Sequence, residues 1–560
     1  MSILFTIILL LFAVAVSSSI VKILPFNFPA PLLQIIIGAI IALPPFKIDI
    51  VLEPEVFLFI FLPPLLFTDG WRFPKKEFYY LKRPILALAI GLVFFTILLV
   101  GYFIHWLIPI LSLPMAFALA AVLSPTDVVA VNAISGQGKI PSKLKLVLEG
   151  EALLNDATGL VAFKFALIAG VTGVFSLPNA SAQFVLVALG GFIIGAFVAW
   201  FMCAVQHQLA KFSHDEPGIQ VIVLLLIPFI AYQFANFVQV SGVLAAVGAG
   251  MAMTYSQNIN KTSTASRLLS SSIWTMLEFV LNGLAFILLG LQLPKIWYKI
   301  YVSEIDSGVT SIWQLVLFVV AIYIAMLILR FLWVFVANRI KNQDFTTKPE
   351  LPKIPVLLTA TFAGVRGAIT LAAIMAIPFI ASTGAPFPNR ELLIFIASGV
   401  ILLSLIVSSI VLPRVVKHFV EHVTDPIHQE ILYANKLLSE EAIEAIKQHQ
   451  EKLNEFIQDE TELEAINKVA DNLIQIYERE SNLTESEIDK TRLAVWAHSY
   501  EAQLHITAIK AERKLLDKLH LQHKISEPTF NQLLRDMDLR ETLSESRQQR
   551  QFSEVPNHEN

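Results

Sequence analysis

Residues 113–134 read LPMAFALAAVLSPTDVVAVNAI, an apolar run carrying one ionisable side chain, Asp127. A run of this length can cross a bilayer as a helix. At its middle, Ser124-Pro125-Thr126-Asp127 combines a helix breaker with two hydroxyls and a carboxylate. A helix interrupted at that depth offers bare carbonyls to a cation, and a carboxylate beside the second half offsets the positive end of its dipole. The competing reading is a proline kink capped by Asp127. The cost of an acid at mid-membrane depth favours the functional reading.

The surrounding composition fits a membrane setting. Of 560 residues, 55% are hydrophobic and 15% charged, and the mean hydropathy is +0.65. Residues before position 420 carry about +8 of formal charge and those after it about −12, so an apolar domain (1–420) precedes an acidic tail (421–560) that belongs in water. The single cysteine, Cys203, excludes an internal disulfide framework and a cysteine-rich metal site. The opening apolar stretch lacks a basic flank and reads as a retained span rather than a signal peptide.

About thirteen apolar stretches are long enough to span. They fall at 3–21, 29–45, 51–69, 84–108, 113–134, 144–174, 183–206, 217–237, 240–256, 272–291, 311–336, 354–380 and 390–415. Pro63-Pro64, Pro125 and Pro378 predict kinks or breaks in three of them. Loops after odd-numbered spans carry about sixteen Lys and Arg, and those after even-numbered spans about four. Arg72, Lys75, Lys76, Lys82 and Arg83, then Arg339, Lys341, Lys348 and Lys353, dominate that bias. It predicts an N-terminus outside and a tail in the cytoplasm. The tail reads as charged amphipathic helix over Glu440–Phe456 and Ser486–Leu521, either a solvated domain or a regulatory or dimerising one, without calcium-loop or nucleotide signatures.

Function is sought among charges inside the spans, which survive where they pair, face a cavity or bind something. These are Asp69, Asp127, Glu149, Glu151, Asp156, Lys164, Glu278, Arg330 and Arg366. Leu148-Glu149-Gly150-Glu151-Ala152-Leu153-Leu154-Asn155-Asp156 places three carboxylates and an amide within about two helical turns. A carboxylate partly removed from water holds a proton more readily and still binds Na⁺ once deprotonated. Competition of the two at Asp156, in a cavity opening alternately to each side, suffices for exchange.

Span twelve carries Gly364-Val365-Arg366-Gly367, placed like the break of span five, as two related repeats with broken crossing helices require. Arg366 is expected to pair with Glu151 as a structural ion pair. Lys164 and Arg330 are expected to snorkel. Glu278 and Asn282, four apart, are expected to line an interface between bundles.

These residues resemble the monovalent cation:proton antiporters of the NhaP and sodium/proton exchanger type. The most specific piece is Glu149-Gly150-Glu151-Ala152-Leu153-Leu154-Asn155-Asp156, supported by Leu62-Pro63-Pro64-Leu65-Leu66, Thr126-Asp127 and Gly364-Val365-Arg366-Gly367. The resemblance implies a homodimer in which spans four to six and eleven to thirteen move against a dimerisation scaffold. It places Na⁺ and H⁺ at Asp156, with Thr126 giving a backbone carbonyl and Asn155 and Asp127 holding the network. Asn before the aspartate implies electroneutral one-for-one exchange, with a role in intracellular pH and sodium homeostasis at the plasma membrane. No cofactor and no nucleic acid is implied; the partners are the ions, the bilayer and a second copy.

Two departures bear on the choice among Na⁺, K⁺ and Li⁺. Ala152 stands where many relatives have serine. Thr68 followed by Asp69 stands where several have an acid, which makes Asp69 a further cation-binding candidate. Rival classes are a cation channel, for which no filter-like loop is present, a membrane-embedded enzyme, for which no His-Glu-x-x-His motif is present, and a sensor signalling through the tail.

Overall fold

The computed structural model describes residues 3–23, 28–43, 53–73, 75–135, 140–172, 177–212, 217–256, 264–303, 312–339, 353–378, 387, 389–417, 426–456, 460–481, 508–516 and scattered positions from 518 to 541. Lys341 and Lys348 of the predicted cytoplasmic loop, and 486–507 of the second predicted tail helix, lie outside them. The chain divides into two compact units, Met1–Val423 and Thr424–Asn560.

The first unit is all helical among the described residues. It opens with α1 (Ile3–Ile23), α2 (Ala30–Ala42), α3 (Pro54–Arg72) and α4 (Lys75–Leu86). Two wide π-helical segments, Ala87–Leu92 and Thr96–Val100, flank α5 (Val93–Phe95), and α6 (Gly101–Leu107) completes that rod. Then come α7 (Leu113–Leu123), α8 (Val128–Ser135), α9 (Ser142–Thr172), α10 (Leu177–Phe212), α11 (Pro217–Phe237), α12 (Gly242–Ser256), α13 (Thr264–Ser303), α14 (Ile312–Arg339), α15 (Lys353–Phe362), α16 (Ala368–Met375) and α17 (Arg390–Val416).

Among the described residues eight helices have the length and apolarity to cross a membrane, and Ala30–Ala42, Leu113–Leu123 and Gly242–Met253 are shorter apolar helices. Outward faces carry large exposed apolar side chains such as Phe12, Leu186, Trp200 and Leu317, as a surface bathed in lipid tails requires.

In lipid, helices associate through close backbone approach rather than a hydrophobic drive, which favours small residues where they cross. Gly38 of α2 meets the backbone of Ile287, and Gly290 of α13 meets that of Ile35. Gly70 of α3 and Gly250 of α12 abut in the same way against Val247 and Phe67. A side chain at any of the four would separate its pair of helices.

The prolines act according to their neighbours. Pro125 lies in the non-helical stretch 124–127, and the helix before Pro378 ends at Met375. In contrast, α3 runs unbroken through Pro63 and Pro64, and the Pro64 carbonyl accepts the Thr68 hydroxyl at 2.8 Å. The π-helical segments leave carbonyls that outside donors take: Ala87 O accepts from Trp333 Nε1 at 3.1 Å, and Ala89 O from Thr158 Oγ1 at 3.2 Å.

In the second unit, α18 (Pro426–Phe456) packs on α19 (Glu460–Ser481), with Gln450 Nε2 donating to Asn467 Oδ1 at 2.6 Å. Residues 508–516 are helical, and Ile509, Leu516 and Met537 form a small core beside the ion pairs Arg513–Glu541 at 2.5 Å and Arg540–Glu512 at 2.8 Å.

Candidate ion-binding site

Two interruptions meet inside the first unit. The chain is non-helical over 124–127 between α7 and α8, and over 363–367 between α15 and α16. The amide of Asp127 donates to Val365 O at 2.7 Å, which ties one break to the other. Four half-helix ends therefore converge, each with unsatisfied backbone groups and a partial charge.

Two charged side chains compensate them. Arg366 donates from Nε to Leu123 O at 3.0 Å and from Nη1 to Gly364 O, beside the C-terminal ends of α7 and α15. Asp127 Oδ1 accepts the Ala130 amide at 3.0 Å, capping α8. The same carboxylate lies over Gly367, at the N-terminus of α16, in the space a Cβ would fill. A cation thus sits at the negative ends and an anion at the positive ends.

Helix α9 passes close to this crossing because Gly159, one turn beyond Asp156, abuts Pro125 and Ser124. Asn155, 1% exposed, gives Nδ2 to Thr126 Oγ1 at 2.8 Å, and its Oδ1 faces the Thr126 amide at 3.5 Å. It braces the break and is not part of the cavity wall.

Beside the crossing is a cavity of about 250 Å³. Asp69, Asp127, Glu149, Asp156 and Glu278 line it, together with Thr126, Asn282 and one cation, Arg72. Five carboxylates against one guanidinium make a space that attracts cations. Asp156 is 4% exposed and opens onto this cavity, and among the described residues no hydrogen bond or ion pair reaches its carboxylate. A buried acid ordinarily finds a partner. Among the described residues no group of three His, Cys, Asp or Glu is placed to hold a metal ion. The site offers single carboxylates, carbonyls and room for water instead.

The expected pairing of Glu151 with Arg366 is corrected. Glu151, 0% exposed, is paired with Arg330: Nη2 to Oε2 measures 2.8 Å, Nη1 also bonds Oε1, and Arg330 Nε donates to Ala360 O at 2.8 Å. Arg330 is 3% exposed rather than snorkelling. The physical reason is local supply. Arg366 stands where the breaks offer bare carbonyls, whereas Arg330 presents its fork to Glu151 from the packed face of α14.

Of the other candidates, Asp69 faces the cavity while Thr68 is spent on Pro64 O, Ala152 lines the wall without a ligand atom, and Lys164 points outward. Sequence reasoning left Glu149, Glu278, Asn282 and Arg72 outside the site, although the i, i+4 spacing of Glu278 and Asn282 carried a signal for one polar face.

Fold and site together define a polytopic helical membrane protein with an acid-lined cavity beside two interrupted helices. Residues 7–418 match the family model described as the transmembrane sodium/hydrogen exchanger, and the chain belongs to that family. Over 553 residues it is 40% identical to a protein of Escherichia coli (strain K12) called the uncharacterized Na⁺/H⁺ exchanger YjcE, covering 97% of this chain and 99% of that one. It is 41% identical over 451 residues to the sodium, potassium, lithium and rubidium/H⁺ antiporter of Bacillus pumilus (strain SAFR-032), covering 79% of this chain and 66% of that one. The fold is shared with the sodium proton antiporter MjNhaP1 of Methanocaldococcus jannaschii, at a TM-score of 0.56 and 17% identity, over 75% of this chain and 99% of that one. This family is one of transporters rather than enzymes.

Proposed function

We propose that the protein is a secondary active antiporter in which a monovalent cation, Na⁺ foremost, and a proton compete for Asp156. The observation that carries this reading is the buried, unpartnered Asp156 carboxylate in a cavity rich in acids. Deprotonated, Asp156 takes a cation with help from the Thr126 backbone carbonyl, and from Asp127 and Asp69 across the cavity. Protonated, it is neutral and needs none. Asn155 holds Thr126 in place.

One carboxylate carrying either ion gives one-for-one, electroneutral exchange once the cavity opens alternately to the two sides. In this account thirteen spans form two inverted repeats whose broken helices cross at 124–127 and 363–367, and two protomers form a dimer. Residues 1–420 do the transport in the plasma membrane and 421–560 form an acidic, helical cytoplasmic tail. The N-terminus is outside, so the Arg72 end of the cavity faces the cytoplasm and the state is inward-open. The cell-level role is intracellular pH and sodium homeostasis. The named range of the Bacillus pumilus relative, and the bare wall at Ala152, support acceptance of Li⁺ and K⁺ as well.

The test is exchange in proteoliposomes with a lumenal pH dye, adding Na⁺, Li⁺ or K⁺ under clamped voltage. Na⁺ is expected to move protons in the parent and not in Asp156→Asn. Equal activity in that variant overturns the site, and ionic current without proton movement turns the reading to a channel.

A further inference from the structure

Among the described residues, Arg72 is the only base in the wall of the acid-lined cavity. It ends α3, one turn beyond Asp69 and on the same helical strip. Its Nη1 donates to Glu278 Oε2 at 2.5 Å and its Nη2 to Thr275 Oγ1 at 3.1 Å, both on α13. The Arg72 side chain is 47% exposed and that of Glu278 16%, whereas Asp156 is 4% exposed. The pair therefore stands at the open rim and Asp156 at the floor.

A cation entering by this mouth meets Glu278 before Asp156 and finds it occupied by a guanidinium of the same charge. Displacing Arg72 by a monovalent cation leaves the local charge unchanged. The half-exposed Arg72 also leaves at little cost, because water takes over the released guanidinium while the arriving cation compensates the more buried Glu278.

We propose that Arg72 is a tethered counter-cation that competes with the incoming monovalent cation for Glu278, so that this pair sets the apparent cation affinity of exchange. The inference rests on exchange at Asp156. It makes Arg72 and Glu278 affinity-determining residues with opposite effects: removing the guanidinium exposes an acid to the incoming cation, and removing the acid leaves a repelling charge at the mouth.

The test is the Na⁺ dependence of proton movement in proteoliposomes for the parent, Arg72→Gln, Glu278→Gln and Arg72→Lys. Arg72→Gln is expected to lower the KM for Na⁺ about threefold and Glu278→Gln to raise it about threefold, the range of a charge pair with one solvent-exposed member. Arg72→Lys, which keeps the charge, is expected to restore the parental KM. Shifts in the same direction, or a loss of thermal stability in both Gln variants with KM unmoved, make the pair a structural tie and overturn the proposal. In those cases parental exchange lost only in Asp156→Asn leaves the Asp156 reading standing. A parent that moves no protons overturns both.

Discussion

Glu151 and Asp156 lie five residues apart on one helix, both buried, and their surroundings differ in one respect. Glu151 is saturated by the two-pronged Arg330, while Asp156 faces a cavity with no partner among the described residues. A charge taken from water has to be compensated. The protein supplies that compensation at Glu151, whereas no described residue supplies it at Asp156. On the function proposed above an ion from outside does so, and the missing partner rather than burial alone singles out Asp156 as the candidate.

The largest expected effect falls on the open member of this pair. Asp156→Asn should reduce Na⁺-driven proton movement to the level of empty liposomes and cost no thermal stability, because it removes an acid that no described residue balances. Loss of stability would place Asp156 with Glu151 as a structural group.

Glu151→Gln should act the other way, through stability. It strands the Arg330 charge in the interior, a change worth about 3–5 kcal/mol, readable as a lower unfolding temperature in detergent. Glu151→Leu combined with Arg330→Met should recover most of that loss, since a buried ion pair can be replaced by apolar groups of similar volume. Failure of the double variant to recover would show that the pair does more than hold α9 to α14.

Gly367→Ala probes the crossing. Its methyl group claims space held by the Asp127 carboxylate, and the overpacking is expected to cost about 1–3 kcal/mol and to slow exchange. The smallest effect is expected at Lys164, which points away from the cavity. Lys164→Gln should stay within about 0.5 kcal/mol of the parent in stability and exchange at the parental rate.

The two acids also show what the sequence could carry. The break at 124–127 was legible because Pro125 stands beside two hydroxyls and an acid at mid-span, company that Pro63 and Pro64 in the unbroken α3 lack, and the break at 363–367 because glycines flank a charge at the matching place in the second half. The polar cluster on α9 was legible from its spacing, and the structure buries Glu151, Asn155 and Asp156 of it. The partner of Glu151 was not: Arg330 and Arg366 both lie in apolar spans, and the choice depends on how α9, α14 and α15 pack and on which carbonyls the breaks leave bare. The rim of the cavity was hidden for a related reason, because Arg72 and Glu278 are 206 residues apart and meet through tertiary packing. Arg72 served the sequence reading only as a topology signal. In the structure it also lines the cavity.

The most direct test of competition at Asp156 is the proton count on cation binding. Purified protein in weakly buffered detergent solution is titrated with Na⁺ while the pH is recorded, beside Asp156→Asn and a choline control. With the pH lowered until Na⁺ binding first releases protons, the account predicts about one proton per bound Na⁺ from the parent and none from the variant. Na⁺ binding without proton release, or undiminished release from Asp156→Asn, would contradict it.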